Sequence, residues 1–475
     1  MSNTPHQQHR NRSTASGVSL WVGIFVTLLL TSCSRNVPPS QPVLITPITL
    51  PPSSATPSPT TDADWTMYHA NPARTGYVAD TPDPQRLTSL WKQPLDGAVY
   101  AEPLVVNGQV IVATEHDTLY ALDARTGQIR WHTNVGTPVP LDDLPCGNID
   151  PLGITGTPVY DPATGLVFAV AEITGPAHVL VGVDVNTGQV KVRRLMDPPG
   201  ADPQVHQQRA ALALSGGRVY VAYGGLFGDC GPYHGLVVAS RTDGSGPLLT
   251  FQVPTGREGG IWATPGPVMD AQNNLYVSVG NGDATEGDWD HTDSVLRLSP
   301  TLQLEDGFAP QSWASDNASD LDLGSMAPVL LPDGLIYADG KSGQGYLLQA
   351  NHLGGVGGQL QTISACRAFG GAAVSGQSFF IPCTNGLQQL TVVSGPRLAI
   401  GWHAPQQISG SPVIGGQTIY SLDPGDGVLY ALNAATGKVR TTLAVGTTSR
   451  FATPTISGTT LFIGTLTGVV AVSIS

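Results

Sequence analysis

The chain has 475 residues, of which 57 are Gly and 39 Pro, with 41% hydrophobic residues and a formal net charge of −13. That charge argues against a nucleic-acid footprint, which needs a basic face, and abundant Gly and Pro beside few Lys and Arg reads as many short strands joined by tight turns. Length alone would allow about three average domains, a measure that repeat folds routinely exceed.

The first segment reads as a targeting device. Arg10 and Arg12 make a basic start, and the run from Val18 to Leu30 is apolar but short for a membrane span. It ends in Leu30-Thr31-Ser32-Cys33, which looks like a bacterial lipobox. Residues 1–33 are therefore expected to be a lipoprotein signal peptide, with Cys33 the lipidated residue; an ordinary signal peptide with an incidental cysteine is the alternative. Residues 34–64 are Pro/Ser/Thr-rich and almost uncharged, so they read as an extended tether with nothing to bury. The expectation is an exported protein held by lipid on the extracytoplasmic side of a membrane. Ser34 would favour outer-membrane sorting in a cell with two membranes.

From residue 65 to 475 one phrase recurs: an apolar strand, Asp or Asn, a Thr-Gly turn, then another strand. Leu119-Tyr120-Ala121-Leu122-Asp123-Ala124-Arg125-Thr126-Gly127 leads to Trp131, Val181-Gly182-Val183-Asp184 leads to Thr187-Gly188, and Leu429-Tyr430-Ala431-Leu432-Asn433 leads to Thr436-Gly437. Copies so far apart, with other strand pairs between them, predict similar sheets in a ring or stack. Each repeat lays out as four strands, A to D. Strand A follows a small or polar residue before Pro at Glu102-Pro103, Thr157-Pro158, Thr264-Pro265, Ala327-Pro328, Ser411-Pro412 and Thr453-Pro454. Two more, Arg209–Leu212 and Gly370–Ala373, lack the Pro. Proline cannot donate to a ladder, so it suits the start of an innermost edge strand.

Strand B alternates apolar residues, as in Val110-Ile111-Val112 and Leu461-Phe462-Ile463, and the Gly of the Thr-Gly turn takes a positive φ. Large rings at the ends of D strands (Trp131, Phe251, Phe308, Trp402) are expected to fill the space between neighbouring blades. Eight A strands against seven complete repeats leave Val469–Val472 without a D strand. Leu87–Leu95, with Trp91, supplies it, which predicts an all-β, eight-bladed propeller of four-stranded antiparallel blades, closed by its N-terminal strand.

Export leaves Cys146, Cys230, Cys366 and Cys383 in an oxidising compartment. D-to-A connections and B-to-C loops share one face of a propeller. Cys366, before an A strand, is thus expected to pair with Cys383 at the end of the adjacent B strand, and Cys146 with Cys230 across blade 2.

The repeat Leu-Tyr-Ala-Leu-Asp-Ala-x-Thr-Gly-x-x-x-Trp resembles the PQQ-like (pyrroloquinoline-quinone-type) β-propeller family over residues 65–475. Cys146-Gly147-Asn148-Ile149, Gly231-Pro232-Tyr233-His234-Gly235 and Gly259-Gly260-Ile261-Trp262 are similar to its secreted bacterial branch. The family includes quinoprotein dehydrogenases and a scaffold lipoprotein of the outer-membrane barrel-assembly machine. The resemblance thus implies one of two functions.

The first is a monomeric binding or scaffold module for an envelope protein or an extracellular ligand, docking on the disulfide-stapled loop face and needing no catalytic set. The second is a quinoprotein dehydrogenase oxidising an alcohol or sugar with PQQ and Ca²⁺. For the second, Asp322 would be the base and Lys341 would hydrogen-bond a quinone oxygen, while Glu102, Arg209, Trp262, Asn281 and His234 are candidate cofactor contacts; Asp320 stands among them. Against it, the chain has no adjacent Cys-Cys pair to stack a quinone and no C-x-x-C-H haem motif. The plainer reading of these polar residues is that they satisfy exposed ends of A-strand backbone. Asp283, Asp288, Asp290 and Asp293 crowd one loop and are a candidate Ca²⁺ site, although their spacing is not that of an EF-hand. The histidines are scattered at no metal-ligand spacing. His234, close to Cys230, is the one expected at the mouth of the central funnel.

Overall fold

The computed structural model describes residues 64–404 and 408–475. The expectations for the signal segment 1–33, Cys33 and the tether up to residue 63 lie outside the described residues. None of the described helices is long and apolar enough to cross a membrane.

Eight sheets form the propeller, each built on four antiparallel strands, and three of them carry a short fifth strand. Blade 1 runs Leu104–Val106, Gln109–Ala113, Thr118–Asp123, Ile129–Asn134. Blade 8 takes Thr455–Ser457, Thr460–Thr465 and Gly468–Ile474 from the C-terminus, and its D strand is Leu87–Pro94. Leu87 lies opposite Ile474 and Pro94 opposite Gly468. The N-terminal strand closes the ring, so no blade is left with an exposed C strand.

Burial follows position. Strand B of blade 1 is buried along its whole length, because both its faces meet neighbouring blades, whereas strand D alternates and buries Trp131. Two A strands begin later than their sequence suggests, at Ala213 instead of Arg209 and at Ala373 instead of Gly370. Just ahead of them Arg209 and Phe369 are loop residues that line the mouth of the ring.

The Thr-Gly turn and the D-strand tryptophan form one device. The Asp123 carboxylate accepts from the backbone N–H groups of Arg125 and Thr126 and from the Thr126 hydroxyl; Asp184 and Asn433 repeat the pattern. Gly127, Gly188 and Gly437 have φ of 72°, 73° and 67°. Trp91, Trp131 and Trp402 lie flat on these three glycines, each from the preceding blade, where a Cβ would come within 2.7, 2.8 and 2.4 Å of the ring. Each indole N–H donates to a carbonyl of the same turn, at Ala124, Val185 and Ala434. Glycine is thus required twice, for backbone angle and for space. Phe308 fills its seam by packing on Tyr346, with ring centroids 5.3 Å apart.

One feature has no sequence signature. Residues 65–78 cross the axis of the ring, bonding to the innermost strands. Trp65 pairs with Val105, and the N–H groups of Tyr160, Met269, Val374 and Ile414 donate to Thr66, Pro72, Thr75 and Gly76. Tyr77–Val78 then runs parallel to Val413–Gly415 as an extra inner strand of blade 7. A segment tied to the A strands of five blades occupies the axial channel and satisfies edges that would otherwise need water.

Candidate functional site

The opposite end of the axis, where the D-to-A connections and B-to-C loops meet, opens into a cavity of about 880 Å³. Its walls are residues just ahead of A strands (Tyr100, Arg209, Trp262, Asp322, Phe369, Phe451) together with B-to-C loop residues such as Asn281 and Lys341. Position in the repeat explains this: the last residues before an A strand stand where the innermost strand begins, at the rim of the central hole. Both disulfides lie at this end. Cys146 is joined to Cys230 across blade 2 and Cys366 to Cys383, with Cα atoms 6.2 and 5.7 Å apart. The first ties down the loop that carries Phe227, which is 64% exposed beside the mouth.

The funnel is electrically divided. On one wall Lys341 Nζ lies 2.6 Å from Asp322 Oδ2 and 2.5 Å from Asp320 Oδ1. The Trp262 indole N–H donates to Asp322 Oδ1 at 3.3 Å, and the Asn281 amide donates to Asp320 at 2.8 Å. Burial pushes the Asp322 carboxyl above its ordinary pKa against the pull of Lys341; burial opposes the Lys341 charge, but Asp322 and Asp320 hold its pKa above the usual value. A lysine clamped between two carboxylates, one of them also bonded by an indole, is a compact charge cluster in which both carboxylates are engaged.

The other wall is basic and carries no contact ion pair. The Arg209 guanidinium lies 4.6 Å from the Phe451 ring centre and 5.7 Å from that of Trp262. Arg450 lies 4.0 Å from the Phe369 ring centre. Among the described residues neither arginine, nor the nearby Arg367, has a carboxylate within ion-pair distance or a hydrogen-bond acceptor for its side chain. Burial and the charge of Arg450 lower the Arg209 pKa to about 10, against the pull of Tyr100 and Glu115, and burial with Arg367 lowers that of Arg450. Close by, the hydroxyls of Thr448 and Ser449 are buried without a partner, as is Asn281 Oδ1.

Of the residues singled out in the sequence, Arg209, Trp262, Asn281, Asp320, Asp322 and Lys341 come together here. Two do not. Glu102 is 2% exposed and lies beneath, accepting the His69 N–H at 2.8 Å from the axial segment. His234 is turned toward the connection from blade 3 to blade 4, its Nε2 3.1 Å from the Gly256 carbonyl, and does not line the cavity. The four loop aspartates do not make one ligand set. Asp290 is taken by Thr255 and Thr292, Asp293 accepts the Leu323 N–H at 2.6 Å, and Asp283 and Asp288 are exposed. Among the described residues no group of three or more His, Cys, Asp or Glu is arranged to hold a metal ion. The arginines at 367 and 450 and the rings at 369 and 451 escaped the sequence reading, although they occupy the same position before an A strand as Arg209 and Trp262 do.

The residues fit the quinone–calcium pair only in part. Trp262 offers a flat wall and the arginines suit carboxylates, but among the described residues no cluster of His, Cys, Asp or Glu is gathered for the cation, and no adjacent-cysteine disulfide supplies a second flat face; Cys146 and Cys230 are 84 residues apart.

Residues 83–226 match the family described as outer membrane protein assembly factor BamB. A curated relative, outer membrane protein assembly factor BamB from Burkholderia pseudomallei (strain K96243), is 32% identical over 127 residues, 27% of this chain and 33% of that protein. The chain thus spans about a third of the length of the curated relative it matches. Among solved structures, a europium-containing methanol dehydrogenase superposes with a TM-score of 0.68 at 15% identity, over 87% of this chain and 98% of that one. A quinohemoprotein alcohol dehydrogenase from Comamonas testosteroni gives 0.65 at 16%, over 86% and 80%. BamB from Moraxella catarrhalis gives 0.55 at 16%, over 82% and 97%. At such identities these three likenesses speak to the fold. Together with the Thr-Gly repeats and the eight closed blades, they support the fold that the resemblance implied, a PQQ-like β-propeller.

Proposed function

We propose that the chain is a binding and scaffold module, held on the extracytoplasmic side of a membrane by a lipid on Cys33, that engages an envelope protein through the funnel face. The observation that carries this reading is the funnel itself: a wide cavity on a rigid ring, with a disulfide-tied rim and a basic wall. The match of residues 83–226 to a family described as an outer-membrane assembly factor supports an envelope partner. The tether of residues 34–64 would give the ring reach from the lipid surface. Binding needs a preorganised face more than a reactive group, and ring closure supplies one. The test is capture from native membranes after mild cross-linking, using the full chain and a Cys33→Ala variant. Retention of a defined envelope protein, with membrane association lost in the variant, supports the reading. Absence of any retained protein overturns it.

A second reading, a PQQ- and Ca²⁺-dependent dehydrogenase, is favoured by one observation, the convergence of Trp262, Asp322 and Lys341 in the funnel. It is tested by adding PQQ and Ca²⁺ and following dye reduction with an alcohol. Alcohol-dependent turnover would establish it in place of the scaffold.

A further inference from the structure

We infer that the basic wall of the funnel is a docking site for an acidic peptide segment that also carries an aromatic or aliphatic side chain. This deepens the scaffold reading and rests on it.

Four observations converge. First, Arg209, Arg367 and Arg450 gather at one mouth in a chain that carries only 22 Lys and Arg against 35 Asp and Glu. Like charges do not collect spontaneously in an acidic protein, and among the described residues no carboxylate lies within ion-pair distance of them, Glu115 acting on Arg209 only from further off. Beyond burial, which is the main cause, the charge of Arg450 lowers the Arg209 pKa and that of Arg367 lowers the Arg450 pKa, a sign of repulsion along the wall. An arriving anion relieves it.

Second, Arg209 and Arg450 are held against the Phe451, Trp262 and Phe369 rings. A guanidinium packed on a ring keeps its in-plane N–H fork open at the edge, which is the geometry that meets a carboxylate with two hydrogen bonds. Third, the hydroxyls of Thr448 and Ser449 are each 5% exposed at the residue level, unpartnered, and next to Arg450 in the chain. Buried donors are normally satisfied, so they call for an acceptor from outside.

Fourth, the arginines come from the connections into blades 3, 6 and 8, and Phe227 projects beside the mouth. A compact anion would reach few of these groups. An extended chain with carboxylates on successive residues reaches several, and its apolar side chain meets Phe227 and the ring ledge. The negative field of the whole chain opposes acidic partners at long range, so recognition depends on these local contacts and is specific to the funnel.

The experiment uses the full chain in detergent and an acetylated, amidated heptapeptide, Gly-Asp-Glu-Phe-Asp-Glu-Gly, labelled for fluorescence anisotropy. Saturable binding is expected, weakening with added salt, and roughly tenfold weaker in Arg450→Ala, the loss of one charge-assisted contact. Arg450→Lys should recover only part, because it restores charge without the fork. Phe227→Ala, an exposed position, should weaken binding without altering the melting temperature. The peptide with Lys in place of each acid should not bind. Equal binding of the acidic and basic peptides, or no loss in Arg450→Ala at unchanged melting temperature, overturns the inference. So does arginine-dependent binding of the small tricarboxylate trimesate with no binding of the peptide, which would assign the wall to a compact anion. If membranes yield an envelope partner whose capture is indifferent to Arg450→Ala, this inference fails while the scaffold reading stands.

Discussion

Blades 1 and 4 are built from the same four-strand unit and do different work. Blade 1 is regular: its B-to-C link is only residues 114–117, its C-to-D turn is Asp123 to Gly127, and Trp131 locks onto the turn of blade 2. Blade 4 departs from the repeat. Residues 280–293 link its B and C strands, residues 310–328 carry the chain into blade 5 with a short helix at Trp313–Asn317, and these stretches deliver Asn281, Asp320 and Asp322 to the funnel. The repeat builds a ring, and the departures from it build the walls of the site. Stability and recognition are thereby assigned to separate residues, which makes the division testable.

The largest expected effect comes from breaking closure. Deleting residues 87–94 strips the D strand from blade 8 and exposes Gly468–Ile474 as an open edge; the cooperative thermal transition in circular dichroism should be lost. A surviving sharp transition would show that the ring does not need this strand. Next is the seam between blades 1 and 2. Gly188→Val forces a β-branched residue to a φ of 73° and a Cβ to 2.8 Å from the Trp131 ring. It should cost about 3 kcal/mol or more in denaturant unfolding.

A smaller effect should appear with pH. Burial pushes Glu115 to about 8, despite bonds from Gly153 and Thr155 and with Glu172 adding to the rise; burial and then Glu115 push Asp117 to about 8. Carboxyls raised in the folded state bind more protons there than in the unfolded chain. Their contribution is therefore complete below the ordinary carboxyl pKa near 4 and is lost as pH rises through about 8. Glu115→Gln, which cannot ionise, should melt at a higher temperature than the parent at pH 8.5 and show no such gain at pH 4. A parent that gains stability between those two pH values, relative to the variant, would contradict the burial account.

The smallest effect is expected in blade 4. Asp288→Ala removes an exposed loop carboxylate and should change stability by less than about 0.5 kcal/mol, with or without calcium. A drop confined to calcium-containing buffer would restore the loop as a metal site.

This contrast also explains what the sequence could disclose. Pro103, the Thr126-Gly127 turn and Trp131 are each dictated by local chemistry, namely a missing donor, a positive φ and a flat ring seeking a glycine, so strands and blade number were legible. The axial segment was not. Trp65, Tyr68, His69 and Arg74 are buried because strands far away in sequence converge around them, and no periodicity along 65–78 announces it. The funnel was half legible. Arg209 and Trp262 stood out for their position before an A strand, while Arg450 and Phe451, equally placed, sat in a blade whose incomplete ending drew attention to its missing strand. Nearness in sequence to Cys230 suggested the mouth for His234, but its ring meets the Gly256 carbonyl in the connection from blade 3 to blade 4.

The measurement that bears most directly on the working face is site-specific photo-cross-linking in native membranes, with a photoreactive residue at position 227 on the funnel rim or at position 107 in the turn on the opposite face. The account predicts one discrete protein adduct from position 227 and none from position 107. Adducts from position 107 alone, or the same adduct from both, would contradict it.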